Sequence, residues 1–151
     1  MNMLLKLLFG KSTKIQDEKI GELKTRIKRD NPSINYTWTS VKVVANQKKE
    51  TCFIIEGNSV GPHKQQLNAV YSIVDNLENL VRDVMSKLPD KSVYKNVLRG
   101  EWKEELYLSA IYPTDIWHPR FEITFEQLDE KASSYISVTW ENGNITEVEE
   151  D

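Results

Sequence analysis

The sequence predicts an α+β fold in which an antiparallel sheet of about six strands, in the order β-β-β-α-β-β-β, packs against one long helix. Three observations carry this prediction. An apolar stripe spaced 3-4-3-4-3-4 runs through Leu67, Val70, Val74, Leu77, Val81, Val84 and Leu88, the period of a helix with one apolar face. The segments before and after it alternate apolar and polar residues, the period of a half-buried strand. These strand-like segments cluster on either side of the helix instead of alternating with helices, which separates α+β from α/β chains.

Taken in order, residues 1–15 read as an N-terminal arm or short helix. The apolar run Met3-Leu4-Leu5 is interrupted by Lys6 and followed by no small-residue cleavage site, so it is not read as a signal peptide. It also falls well short of the ~20 apolar residues that cross a bilayer. Residues 20–28 read as a strand, with Leu23, Thr25 and Ile27 on one face and Glu22, Lys24, Arg26 and Lys28 on the other. Residues 36–45 and 50–56, rich in aromatic and β-branched side chains, read as a hairpin that turns at Asn46-Gln47-Lys48-Lys49. The second of these strands is apolar on both faces and belongs at the centre of the sheet.

Pro62 suits the first helical position, where its missing N–H costs nothing, and Pro89 stops the helix. A helix over residues 62–87 would be about 39 Å long at about 1.5 Å per residue. Residues 92–98 suggest a further short helix. Three strands follow, over residues 105–112, 120–126 and 135–141. In the first, Leu106, Leu108 and Ala110 oppose Tyr107, Ser109 and Ile111; in the other two, Phe121, Ile123, Phe125, Ile136, Val138 and Trp140 face the core. Asn142-Gly143 is a strong type I′ hairpin signal. It leads to a short last strand over residues 144–148 and an acidic tail, residues 149–151, expected to fray. The whole of residues 1–151 reads as one domain.

Composition narrows the function. The one cysteine, Cys52, excludes an internal disulfide, fits a reducing, cytoplasmic compartment, and reads as a small buried hydrophobe. The net charge of −3 hides a polarity along the chain. Residues 1–50 carry 11 Lys and Arg against 5 Asp and Glu, whereas residues 101–151 carry 3 against 13. So acidic a C-terminal third argues against a nucleic-acid surface and for docking of a basic partner.

Motifs of catalysis are missing. His63 and His118 lack second ligands at metal-binding spacing. Gly57-Asn58-Ser59-Val60-Gly61-Pro62-His63-Lys64 sits between strand and helix as a phosphate loop does, but lacks the Gly-Lys-Ser/Thr ending, and Pro62 removes a donor. Glu122, Glu126 and Glu141 fall on outward positions of adjacent strands and form an acidic sheet face more naturally than a catalytic carboxylate pair. The loop Tyr112-Pro113-Thr114-Asp115-Ile116-Trp117-His118-Pro119 is the most unusual segment, stiff and aromatic between two strands; it reads first as a packed loop whose Trp117 plugs the edge of the core, and otherwise as the lining of a ligand or partner site.

Phe9-Gly10-Lys11, Gly21-Glu22-Leu23, Gly61-Pro62 followed by Gln65-Gln66, and Phe121-Glu122-Ile123-Thr124-Phe125-Glu126 together resemble small bacterial domain-of-unknown-function and immunity-type proteins. The resemblance implies a cytoplasmic α+β protein and carries over no catalytic residue. The expected function is a non-enzymatic, immunity-type binding protein without metal or cofactor. Its basic protein partner would meet Asp115, Trp117, His118, Glu122, Glu126 and Glu141, with no nucleic acid and no integral membrane segment involved. The alternative is a small enzyme or ligand-binding domain with its site at residues 112–119, joined by His63. A homodimer through the long helix or an edge strand is the remaining assembly.

Overall fold

A computed structural model describes residues 10–151. Its centre is one eight-stranded sheet in which every strand lies beside its neighbours in sequence, β1-β2-β3-β4-β5-β6-β7-β8. The strands are β1 (Lys11–Asp17), β2 (Gly21–Ile27), β3 (Tyr36–Lys42), β4 (Thr51–Gly57), β5 (Leu106–Pro113), β6 (Arg120–Gln127), β7 (Tyr135–Glu141) and β8 (Asn144–Glu150). All neighbouring pairs are antiparallel except β4 and β5, which run parallel. A parallel pair needs a long crossover. Residues 58–105 supply it through α1 (Lys64–Asp75), α2 (Leu77–Lys87), α3 (Tyr94–Arg99) and a 3₁₀ turn at Trp102–Glu104.

The expected architecture is thereby corrected in strand number, in sheet type and in its helix. The sheet has eight strands instead of about six, and it is mixed, because the crossover returns the chain beside β4 in the same direction. No single long helix covers it. The rod expected over residues 62–87 is two helices that meet at Asn76, where φ −112° and ψ 23° leave the helical region. There the Asn76 backbone N–H and side-chain Nδ2 both donate to the Ser72 carbonyl, a side-chain competition that Asn brings to helix ends. A break of one residue scarcely changes the phase of the apolar stripe, so the spacing alone does not register it. The break lets α1 pack on β4 while α2 reaches β8 and α3. Val70, Ile73, Leu77, Val81, Val84 and Leu88 are buried in the core, so the stripe is spent within the chain and not on a second copy.

Three further expectations change. Part of the N-terminal arm is strand β1, paired along its whole length with β2; its only inward apolar residue is Ile15, too weak an alternation to read. Residues 1–9 of the expected arm lie outside the described residues. At the other end the tail expected to fray is paired, because Glu149 and Glu150 continue β8 opposite Ser137 and Ile136 and the Asp151 N–H donates to the Tyr135 carbonyl at 3.1 Å. In β5 a bulge between Leu108 and Ala110 switches the alternation. Ile111, not Ala110, therefore joins Leu106 and Leu108 in the core, fully buried.

All helices lie on one face of the sheet. Trp38, Phe53, Ile55, Leu108, Ile111, Phe121, Ile123, Phe125, Ile136 and Val138 point into that layer. The opposite face has no cover among the described residues. No helix among them is long and apolar enough to cross a membrane.

Candidate functional site

The uncovered sheet face changes character from one edge to the other. On β1 and β2 it presents Lys14, Lys24 and Arg26, with Glu22 held in ion pairs of 3.1 Å to both Lys14 and Lys24. These lysines hold the Glu22 carboxyl below its ordinary range. The middle strands contribute Thr39, Val41, Cys52, Ile54, Ala110 and Tyr112. Cys52 is half-buried here, and burial pushes its thiol pKa up, which keeps it protonated and a poor nucleophile.

On β6, β7 and β8 the face turns acidic. The register sets Glu122 opposite Thr139, Glu126 opposite Tyr135, and Arg120 opposite Glu141. It also sets Thr139 opposite Glu147 and Ser137 opposite Glu149. Five carboxylates thus share three adjacent strands with one cation, Arg120. None of the five makes an ion pair among the described residues. Two of them are met by neutral donors instead. Ser137 Oγ donates to Glu122 at 2.8 Å and Tyr107 Oη to Glu126 at 2.8 Å. Burial first, and the adjoining carboxylates second, push Tyr107 and Tyr112 up to about 12.

Beside this face a hollow of about 430 Å³ is lined by Lys49, Tyr107, Glu126, Asp129, Glu130 and Tyr135. Lys49 already shows how a cation sits there. Its ammonium lies 5.3 Å from the Tyr107 ring centroid and 3.5 Å from a Glu130 oxygen. An aromatic floor with carboxylate walls is the chemistry that holds Lys or Arg.

The six candidate residues do not form one site. Glu122, Glu126 and Glu141 stand on the acidic face, while Asp115, Trp117 and His118 occupy the loop between β5 and β6. Asp115 organises that loop. Its Oδ1 accepts the backbone N–H groups of Trp117 (2.7 Å) and His118 (3.1 Å), and its Oδ2 faces His118 Nδ1 at 3.1 Å. These contacts hold its carboxyl below the ordinary range, the Trp117 N–H contributing most. The Asp–His pair has no hydroxyl or thiol hydrogen-bonded to the ring among the described residues, so it shapes the loop without completing a nucleophilic triad.

The loop is tied to the start of α1. Gln66 Nε2 donates to the carbonyls of Asp115 (3.0 Å) and His118 (3.5 Å). His63, Lys64, Gln65, Gln66, Ile116 and Trp117 line a cleft of about 250 Å³ between them. His63 and the 112–119 loop therefore do meet, through Trp117. Residues 57–62 form a tight turn in which the Ser59 hydroxyl is buried with no partner among the described residues. Asn58 Oδ1 accepts from the Val60 and Gly61 amides, and a side chain at Gly57 would collide with the Gly61 carbonyl at 2.3 Å. That turn has its amides committed and is no phosphate cradle.

Tyr107, Glu130, Tyr135, Glu147 and Glu149 join the acidic surface without having been singled out in the sequence. Their outward strand positions were the available signal for Tyr107 and Tyr135. The role of Glu149 depended on where β8 ends. No three His, Cys, Asp or Glu side chains are grouped as metal ligands among the described residues. Comparison with family models, with curated proteins and with solved structures returns no match.

Proposed function

We propose that this chain is a non-enzymatic binding protein whose acidic sheet face on β6, β7 and β8 engages a basic protein partner. The observation that carries the reading is the set of five carboxylates on three adjacent strands, none of them in an ion pair among the described residues. No two of these carboxylates are directly opposite, since Thr139, Tyr135 and Ser137 stand between them, but gathering them on one face still accumulates negative potential. A cluster of five carboxylates with Arg120 as the one cation on its strands makes sense as a surface that meets further cations in a partner, which also steers encounter and sets salt dependence. The hollow at Tyr107 and Glu126 supplies an anchoring point for a partner Lys or Arg. An immunity-type role would make that partner a basic toxin.

The test compares the full chain with the variant Glu122→Lys/Glu126→Lys/Glu147→Lys. A second variant reverses Asp83, Asp90 and Glu104, which lie off this face. Basic proteins retained at low salt should be released at high salt, lost with the first variant and kept with the second. Retention of no basic protein at low salt, or equal loss with both variants, would overturn the reading.

A further inference from the structure

A second surface lies at the strand ends, away from the acidic face, and its chemistry is different. β4 and β5 are the parallel pair, so their carboxyl ends leave the same edge of the sheet. α1 follows β4 and the Asp115–His118 loop follows β5, which sets a helix N-terminus against an aromatic loop. In open sheets with parallel strands, ligands gather in this position, because helix amides converge outside the strand ends.

Leu67 N–H donates to the His63 carbonyl, but the amides of Lys64, Gln65 and Gln66 have no acceptor among the described residues. His63 gives no side-chain cap, and the first turn holds no acidic residue. Lys64 adds an exposed cation at the same place.

An independent observation is Gln66, which lines the cleft at only 2% exposure. Its Nε2 is fixed by two loop carbonyls, while its Oε1 has no partner. The two loop carbonyls exclude the flipped carboxamide, which would set oxygen against oxygen. A buried acceptor in this state wants a donor.

Trp117 completes the set. It is 77% exposed while Trp38, Trp102 and Trp140 are at most 7% exposed, yet Asp115 pins its backbone. Ile116 beside it is also exposed. An exposed ring on a stiffened loop loses little freedom when something stacks on it.

We propose that this cleft binds a small flat ring carrying one compact oxyanion, carboxylate or phosphate, and one hydrogen-bond donor. The oxyanion takes the free amides of α1 and Lys64, the ring stacks on Trp117, and the donor reaches Gln66 Oε1 through a small shift of the cleft wall, because that atom is closed to solvent. The cleft volume of about 250 Å³ is on the scale of a single ring system.

Two-dimensional NMR of the full chain reads this directly, with inorganic phosphate, phenyl phosphate, phenylacetate and 4-hydroxyphenylacetate as probes. Each of the three ring-bearing anions should shift the amides of Lys64, Gln65 and Gln66 and the exposed Trp117 indole N–H together, saturating at about 1 mM. Phenyl phosphate against phenylacetate tells which oxyanion is preferred, and 4-hydroxyphenylacetate should bind more tightly than phenylacetate. Trp117→Ala and Lys64→Glu, both surface changes, should each weaken binding by about tenfold without altering the core resonances. An unchanged spectrum with every probe overturns the site. Phosphate acting as well as phenyl phosphate, or Trp117→Ala binding as tightly as the parent, overturns the stacking role. Equal affinity for phenylacetate and 4-hydroxyphenylacetate overturns the role of Gln66. None of these outcomes bears on the acidic face, whose test is separate.

Discussion

At Gln47 one carboxamide substitutes for strand pairing. β4 and β5 share only the register pairs Cys52–Ala110 and Phe53–Ile111, so Leu108 lies beyond the ladder. The Gln47 Oε1 accepts the Leu108 N–H at 3.0 Å and its Nε2 donates to the Leu108 carbonyl at 3.0 Å, a carbonyl that Thr51 Oγ1 also reaches at 2.7 Å. Gln47→Ala should cost about 1–3 kcal/mol, because it strands buried backbone groups; urea unfolding with an unchanged slope would measure it. Glu78 binds the helix layer to the 3₁₀ turn through Lys103 and the Trp102 Nε1 at 3.1 Å. Lys103 first, then the Trp102 N–H, lowers its pKa below the ordinary 4.5. A lowered carboxyl contributes stability that is present above 4.5 and is lost as the pH falls through the folded value. Thermal melts on acidification should show that loss, and Glu78→Gln should flatten it. Tyr107 and Tyr112 work in the opposite direction. Raised from 10.0 to about 12, they contribute stability that is complete below pH 10 and disappears as the pH climbs toward 12. Near-ultraviolet titration should find these tyrosines ionising after the exposed ones.

Among the elements, β5 shows how one residue sets a face. Its bulge turns Ala110 and Tyr112 outward and Ile111 inward. Deleting Ser109 would leave Leu106, Leu108 and Ile111 in strict alternation, so that deletion should be tolerated far better than Ile111→Ala. The latter removes a fully buried side chain and should cost about 2–5 kcal/mol. Paired melting curves decide it; greater damage from the deletion would mean the bulge itself holds the β4–β5 register. The crossover helices follow the same logic. Asn76 ends α1 and begins α2, which turns a straight stripe into two contacts with different strands.

Across the whole molecule, charge is sorted by strand order. Because consecutive strands are spatial neighbours, the basic early segment and the acidic late segment become opposite ends of one sheet face. The acidic end is costly to the fold. Replacing Glu122, Glu126 and Glu147 with Gln should raise the melting temperature at low salt, and added salt should shrink the gain. Scanning calorimetry across ionic strength checks it; a lower melting temperature would mean these carboxylates serve the fold.

What the sequence by itself determined is local. Alternation placed β2, β6 and β7 within a few residues, aromatic and β-branched richness placed β3 and β4, and Asn142-Gly143, with φ 49° and 92°, marked the last hairpin. The acidic positions Glu122, Glu126 and Glu141 were legible because an outward residue in a regular strand stays outward. The tertiary structure alone decided the parallel pairing of β4 with β5, the break at Asn76, the bulge in β5, and the meeting of α1 with the Trp117 loop. Each joins residues far apart in the chain or shifts phase by one residue, and a periodic pattern carries no record of either. Pairing partners are chosen by the burial of distant faces against one another, which no single segment encodes.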